Sequence, residues 1–133
     1  MVASRPQKRK AARMSRDDTI HYTLQFDVAD GKMAEFEALA DEASAYVEAN
    51  EPGTVVYQWN SSGATIQLHE RFADEAAMMT HASGTAATDV FPRLMEISTV
   101  SRFDILGDVS DDAKGALEGM GGSVYGSWKG FDR

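Results

Sequence analysis

The side chains that could carry acid–base or metal chemistry are few and scattered in this chain. It has three histidines, His21, His69 and His81, and no cysteine. No two histidines stand at the HxH or HxxxH spacing that lets two imidazoles bind one metal ion. The lack of cysteine excludes disulfides, thiolate metal sites and a cysteine nucleophile. The sequence therefore argues against a metal centre.

Motifs of nucleophilic and nucleotide-binding enzymes are also absent. The chain contains no GxSxG, Walker or GxGxxG sequence. The glycine-rich stretch Gly119–Gly122 lacks the preceding strand and following helix that a dinucleotide site needs. Neither class of activity has support in the sequence.

Charge is distributed unevenly along the chain. Six of its thirteen basic residues precede the first acidic residue, Asp17, and from there on 7 basic residues stand against 21 acidic ones. So acidic a body would repel phosphate backbones, and we expect no nucleic-acid partner. Residues 1–18 are predicted to be a disordered basic leader, with a tether to RNA or a membrane as the alternative. The leader's basic residues are Arg5, Lys8, Arg9, Lys10, Arg13 and Arg16.

Length and hydropathy limit the chain to one domain outside the membrane. Its 133 residues suffice for one core, and no apolar stretch approaches the roughly 20 residues that cross a bilayer. The N-terminus lacks the apolar segment of a secretory signal. We therefore predict a cytoplasmic protein without a membrane partner.

The first half of the chain alternates strand and helix patterns. Apolar residues recur at every second position from Thr19 to Val28, which predicts a strand. Phe36, Leu39, Ala40, Ala43 and Val47 then fall on one side of a helix. That helix should end near Asn50, because Pro52 cannot continue it.

The second half adds a hairpin, an interrupted helical region and a strand. Residues 54–60 and 65–72 have strand composition on either side of Ser61–Ser62–Gly63, which is typical of a tight turn. Asp74 can cap a helix, which Gly84 interrupts and Pro92 bends or restarts. Alternation returns from Ile97 to Leu106.

This order predicts an α+β domain over residues 19–106, with the ferredoxin-like β-α-β-β-α-β arrangement. Its four-stranded antiparallel sheet would carry both helices on one face. Val56, Val100 and Leu106 interrupt the polar residues predicted for the other face. A second copy packed on that face would explain them, and a monomer with scattered exposed apolar residues is the alternative.

Residues 107–133 differ in composition from the domain before them. Seven of the eleven glycines lie here, and Ser110 can cap a short helix through Leu117. The rest is predicted to be a glycine-rich arm that docks Tyr125, Trp128 and Phe131. Docking on its own subunit, docking on a partner and disorder all remain open.

Two segments resemble the antibiotic biosynthesis monooxygenase family. Residues 50–54 read Asn-Glu-Pro-Gly-Thr and lead into Tyr57 and Trp59, while residues 69–77 lead from a strand end into a helix that carries His81. These blocks are similar to the family's E-P-G-T/C and E-x-[FWY]-x-[DS]-x-x-A patterns, and the resemblance covers residues 19–106. It implies a dimeric α+β barrel, a homodimer formed through the sheet faces, with a cleft between sheet and helices in each subunit.

The resemblance also implies a type of chemistry. Some members oxidise phenolic or hydroquinone substrates with O2 and need no metal or flavin cofactor. A deprotonated, electron-rich ring can itself reduce oxygen, so the protein must bind the ring, remove a proton and exclude water. The hypothesis that follows is a cofactor-independent monooxygenase acting on a small aromatic or quinol-type molecule. A non-catalytic dimeric module that binds a small ligand or a protein is the rival.

Within that hypothesis, His81 and Glu70 are the candidate catalytic residues. An imidazole titrates near neutral pH and could accept a phenolic proton, and Glu70 could orient it or act as the base. The alternative is a structural histidine bonded to Glu70 or to a backbone carbonyl. Aromatic side chains would bind the substrate, and each could equally be a core residue. These substrate-binding candidates are Tyr57, Trp59, Tyr22 and Phe91.

Overall fold

A computed structural model describes residues 18–133, so almost all of the predicted basic leader lies outside the described part of the chain. The strands are β1 Ile20–Val28, β2 Thr54–Ser62, β3 Thr65–Phe72, β4 Ser98–Leu106 and β5 Ser123–Tyr125. The helices are α1 Met33–Asn50, α2 Glu75–Ala82, α3 Phe91–Met95 and α4 Asp111–Gly119, and a π-helical turn, Ala86–Val90, precedes α3.

The sheet has the ferredoxin-like order with one strand more than expected. Its order is β2-β3-β1-β4-β5, and the first four strands pair antiparallel as predicted. The fifth strand pairs parallel to β4, with Ile105 opposite Val124. It was missed because a three-residue strand inside a glycine-rich segment carries almost no alternation signal.

The core lies between the helices and one face of the sheet. Every second residue of β1, from Ile20 to Val28, is buried, which confirms the predicted strand face. In α1 the five residues predicted on one side are the five that are buried. The other side of the sheet, here called the open face, carries no helix of the described chain; it presents side chains such as His21, Thr23, Gln67 and His69.

The interrupted helical region has a local cause at each break. Asp74 caps α2 by accepting a hydrogen bond from the backbone N–H of Ala77 at 2.8 Å, as predicted. The helix ends at Ala82, just before Gly84. Pro92 stands in the first turn of α3, where its missing N–H costs no helical hydrogen bond. The break between the two helical stretches therefore lies at Gly84, while Pro92 stands where the π-helical turn passes into α3.

Val100 does not lie on the open face, and this corrects a sequence prediction. The pairing of β1 with β4 shifts register between Gln25 and Phe26, so that Gln25 faces Arg102 while Phe26 faces Val100. The extra residue returns Val100 to the helix-covered face, where it packs against the core. Leu106, beyond the bulge, is exposed as expected.

The C-terminal arm forms a strap, Gly126–Arg133, across one end of the open face. Gly107 donates a hydrogen bond to the Tyr125 carbonyl at 2.9 Å, and Ser127 N–H donates to Asp108 Oδ1 at 2.9 Å. At its far end Asp132 pairs with Arg71 of β3 at 3.0 Å. Strand pairing, backbone bonds and an ion pair therefore fix the strap.

The aromatic side chains of the arm do not dock on their own subunit. Tyr125, Trp128 and Phe131 are 54%, 86% and 73% exposed. The arm therefore binds its own subunit through its backbone and an ion pair, while these three rings stay largely exposed. In contrast, Ala113 and Leu117 of α4 are buried with the core.

Among the described residues, no helix combines the length and apolar character needed to cross a membrane.

Candidate active site

A carboxylate lies between two phenols on the helix-covered face of the sheet. Glu70 of β3 is directly opposite Tyr57 of β2 on one side and Tyr22 of β1 on the other. Side chains at paired positions of neighbouring strands lie on the same face, about 5 Å apart. Three of the predicted site residues therefore form one row.

His81 lies over this row and contacts two glutamates. From α2, its Nε2 lies 3.0 Å from Glu70 Oε1, while its Nδ1 lies 2.7 Å from Oε1 of Glu51, the residue that ends α1. All three are deeply buried, with exposures of 8% for His81, 3% for Glu70 and 4% for Glu51. We call these three residues the Glu–His–Glu cluster.

The cluster holds His81 in its protonated form. An ionised carboxylate only accepts hydrogen bonds, so the hydrogen bond to Glu51 needs a proton on Nδ1, and the Glu70 carboxylate near Nε2 favours a second proton there. Burial alone would lower the pKa of His81, but the Glu70 and Glu51 carboxylates more than offset it and raise that pKa to about 9. An imidazolium has no lone pair for another proton, so His81 cannot accept a proton in this state.

Two carboxylate oxygens of the cluster lack an aligned hydrogen-bond donor. They are Glu51 Oε2 and Glu70 Oε1, both buried. Glu51 Oε1 also accepts a hydrogen bond from the Thr54 hydroxyl at 3.1 Å. Buried polar atoms normally have partners, so these oxygens retain capacity to bind a proton or a donor group.

The two tyrosines of the row keep their protons. Burial, followed by the negative charge of Glu70, raises the pKa of Tyr22 and of Tyr57 well above the ordinary value. Both side chains are therefore neutral phenols near Glu70. Tyr57 is half-buried, while Tyr22 packs edge-on against Phe72 with ring centroids 4.8 Å apart.

Trp59 and Phe91 belong to a neighbouring aromatic group. Trp59 Nε1 donates a hydrogen bond to the Ser44 hydroxyl at 2.9 Å, and the indole ring stands 5.8 Å from the Phe26 ring. The Phe91 ring lies 6.1 Å from that of Phe26. Tyr57 joins this group to the cluster, with its ring 5.8 Å from that of Trp59 and 6.0 Å from His81.

Glu51 was not among the residues predicted for the site. It belongs to the Asn-Glu-Pro-Gly block used for the resemblance, but an acidic residue at a helix end gives no sign of its partner. The only indication of its position was the adjacent proline, which ends α1 and turns the chain at that point. His21 and His69 lie on the open face with ring centroids 5.5 Å apart, as the strand alternation predicted.

The arrangement suits proton transfer better than metal binding. The two carboxylates contact opposite ring nitrogens of His81 and do not converge on one point, and within residues 18–133 no group of three or more such side chains is placed to hold a metal ion. A cavity of about 340 Å³ lies elsewhere, between the strap and the open face. Its lining includes His21, Leu106, Tyr125 and Asp132.

Solved structures share this fold at low sequence identity. MupZ from Pseudomonas fluorescens aligns with a TM-score of 0.78 and 18% identity over 87% of this chain and 95% of its own. A putative antibiotic biosynthesis monooxygenase from Caulobacter crescentus gives 0.64 and 22% over 78% and 100%. SnoaB, a cofactor-independent oxygenase from Streptomyces nogalater, gives 0.59 and 19% over 70% and 95%.

Sequence comparison settles the family. No curated protein sequence is a significant match to this chain. The family model described as antibiotic biosynthesis monooxygenase matches residues 19–93, which contain β1 to β3, α1, α2 and the whole Glu–His–Glu cluster. The chain belongs to the antibiotic biosynthesis monooxygenase family.

Proposed function

We propose that this protein is a cofactor-independent monooxygenase acting on a small phenolic or hydroquinone-type molecule. Family membership and the likeness of its fold to that of SnoaB, a cofactor-independent oxygenase, support the reaction class. The observation that carries the proposal is the buried Glu–His–Glu cluster beside Tyr57 and Trp59. It combines a proton acceptor with aromatic side chains that can stack on a ring.

The reaction balances without an external reductant. A phenol and O2 give a quinone and water, so the substrate supplies all the electrons that reduce both oxygen atoms. Loss of the phenolic proton makes the ring electron-rich enough to pass an electron to O2. The new C–O bond then forms, and loss of water from the peroxide leaves the carbonyl. The protein's task is to take the first proton and to exclude bulk water.

In this proposal the residues of the site have distinct roles. Glu70 accepts the phenolic proton, because its Oε1 lacks an aligned donor and it stands between the two tyrosines. His81, as an imidazolium, holds Glu70 and Glu51 in place and limits the cost of burying two negative charges. Tyr57 donates a hydrogen bond to the substrate oxygen, and Trp59 forms the wall of the binding site.

Oxygen uptake with a panel of phenols and hydroquinones tests the proposal. Removing a general base lowers a rate by about 100-fold or more, so we expect that loss for Glu70→Gln and a comparable one for His81→Ala. Glu48→Gln, an exposed acid on α1, is the matched control and should keep the wild-type rate. The absence of uptake by the wild type across the panel contradicts the reaction, and full activity in both site variants contradicts the site.

The dense packing around Trp59 favours a second candidate, a non-catalytic binding module. The indole ring is held by Ser44 and meets the Phe36 ring edge-on with centroids 5.8 Å apart, so part of the space for a substrate is filled. A module of this kind would bind an aromatic ligand with equal affinity in the wild type and in Glu70→Gln. Binding measured by calorimetry, without oxygen uptake, would identify it.

We further propose that two copies pair through their open faces. Exposed Leu106 and the half-buried residues Thr23, Gln25 and His69 form a mixed polar and apolar surface that no helix of the described chain covers. Antiparallel sheets often leave one face for water, but such faces are usually clearly polar. A second copy would cover this surface and enclose the barrel expected of the family.

A further inference from the structure

We propose that the strap, Gly126–Arg133, docks on a second copy of this chain, with Trp128 and Phe131 as its apolar contacts. The inference rests on the proposed pairing of open faces. It adds an interaction surface outside the sheet itself and assigns a role to the exposed aromatic side chains of the C-terminal segment.

The strap is held firmly, yet its aromatic side chains point away from the subunit. Its start is fixed by the bond from Ser127 to Asp108 and its end by the Asp132–Arg71 ion pair. Trp128 and Phe131 are nevertheless 86% and 73% exposed. Ordering a segment costs conformational entropy, and exposed rings recover none of that cost. A fixed backbone that carries exposed aromatic side chains is instead typical of a preorganised binding surface.

The strap is not packed down on the sheet beneath it. A cavity of about 340 Å³ separates its backbone from Leu106 and His21 of the open face. The strap therefore projects above the open face at one end. A second copy that covers this open face would therefore also contact the strap.

Charge favours a second copy as the occupant. Lys129 stands over the Trp128 ring at 5.3 Å and Arg133 over the Phe131 ring at 4.8 Å, so both exposed rings carry a cation beside them. The chain from Asp17 onward has 21 acidic and 7 basic residues, and the strap contributes two of those basic residues but only one acid, Asp132. A strap rich in cations and aromatic rings complements the acidic body of another copy.

The dissociation constant of the dimer, measured by sedimentation velocity, tests the inference. In Trp128→Ser/Phe131→Ser we expect it to rise about tenfold or more, because buried aromatic anchors dominate interface energies. The matched control is Met79→Ser/Met120→Ser, which removes exposed apolar side chains from α2 and from the residue that follows α4. The control should stay within about twofold of the wild type, since scattered surface changes have little effect. Higher salt should also weaken the wild-type dimer.

A sheet variant separates this inference from the pairing on which it rests. Thr23→Glu places a charge at the centre of the open face and should yield a monomer. If Thr23→Glu is monomeric while the strap variant binds as tightly as the wild type, the strap inference is overturned and the pairing stands. A wild type that is monomeric at every concentration overturns both. Circular dichroism should show wild-type folding in the strap variant, because both substituted side chains are exposed.

Discussion

At the residue scale, the Glu–His–Glu cluster predicts how stability depends on pH. The folded pKa of His81 is about 9 against an ordinary value of 6.5, so folding favours the protonated form. The resulting stabilisation is complete below the unfolded-state pKa and is lost as pH rises through the folded one. We expect the free energy of unfolding to fall by about 3 kcal/mol from near pH 6.5 to above pH 9, measured by urea denaturation.

Removing both carboxylates should reverse that dependence. In Glu51→Gln/Glu70→Gln, burial alone acts on His81, and burial favours the neutral ring. Nitrogen NMR of the imidazole at neutral pH should then show one protonated ring nitrogen in the variant and two in the wild type. A neutral His81 in the wild type at that pH would contradict the arrangement of charges described here.

Two of the three residues of the Glu–His–Glu cluster could be chosen from the sequence, but their protonation could not. His81, Glu70 and Tyr57 were chosen for residue type and for a family resemblance, and the structure brings these three together. Glu51 could not be chosen, because its partner lies 30 positions further along the chain. The pKa of His81 depends on both contacts at once, and only the folded chain shows them.

At the scale of elements, Gly53 fixes how closely α2 approaches the start of β2. A Cβ at position 53 would lie 2.6 Å from the Ala77 Cβ and 3.5 Å from its Cα, and backbone cannot move as a flexible side-chain end does. We expect Gly53→Ala to lower the free energy of unfolding by about 1–3 kcal/mol, because it overpacks this contact. Chemical denaturation of the variant and the wild type measures the difference.

A double-mutant cycle isolates the contact. Ala77→Gly removes the opposing Cβ and should cost about 1 kcal/mol on its own, as glycine does within a helix. In the double variant the loss should be smaller than the sum of the two single losses, because the clash is gone. Gly115→Ala in α4 is the control: nothing lies within 4 Å of its Cβ, so it should stabilise the chain slightly. Additive losses at positions 53 and 77 would contradict the steric explanation.

The strength of the periodic signal decided which elements could be predicted. The apolar stripe of α1 was predicted residue by residue, because all five positions obey one period over 18 residues. The register shift at Gln25 and Phe26 could not be predicted, since a β-bulge inserts one residue and leaves composition unchanged. That single shift moved Val100 to the opposite face of the sheet.

At the scale of the whole molecule, the sequence predicted the order of elements and left the association of copies open. Strand, helix, hairpin, helix and strand follow from local patterns, and they suffice for the ferredoxin-like topology. Which surfaces remain uncovered depends on register and on the path of the arm, and both are long-range properties. The strap is the clearest example, because the sequence left open where its aromatic residues dock, and in the folded chain they are exposed.

The proposed pairing through the open faces predicts that thermal stability depends on protein concentration. Dissociation accompanies unfolding of a dimer, so about a hundredfold increase in concentration adds about 2.7 kcal/mol to its stability and should raise the midpoint by several degrees. Scanning calorimetry of the wild type at two concentrations measures this rise. Thr23→Glu, whose added charge lies between His69 and Asp104 on the open face, should show the same midpoint at both concentrations. Met79→Ser, on the helix-covered side, should retain the wild-type dependence on concentration. A wild-type midpoint that does not change with concentration would contradict the proposed pairing of open faces.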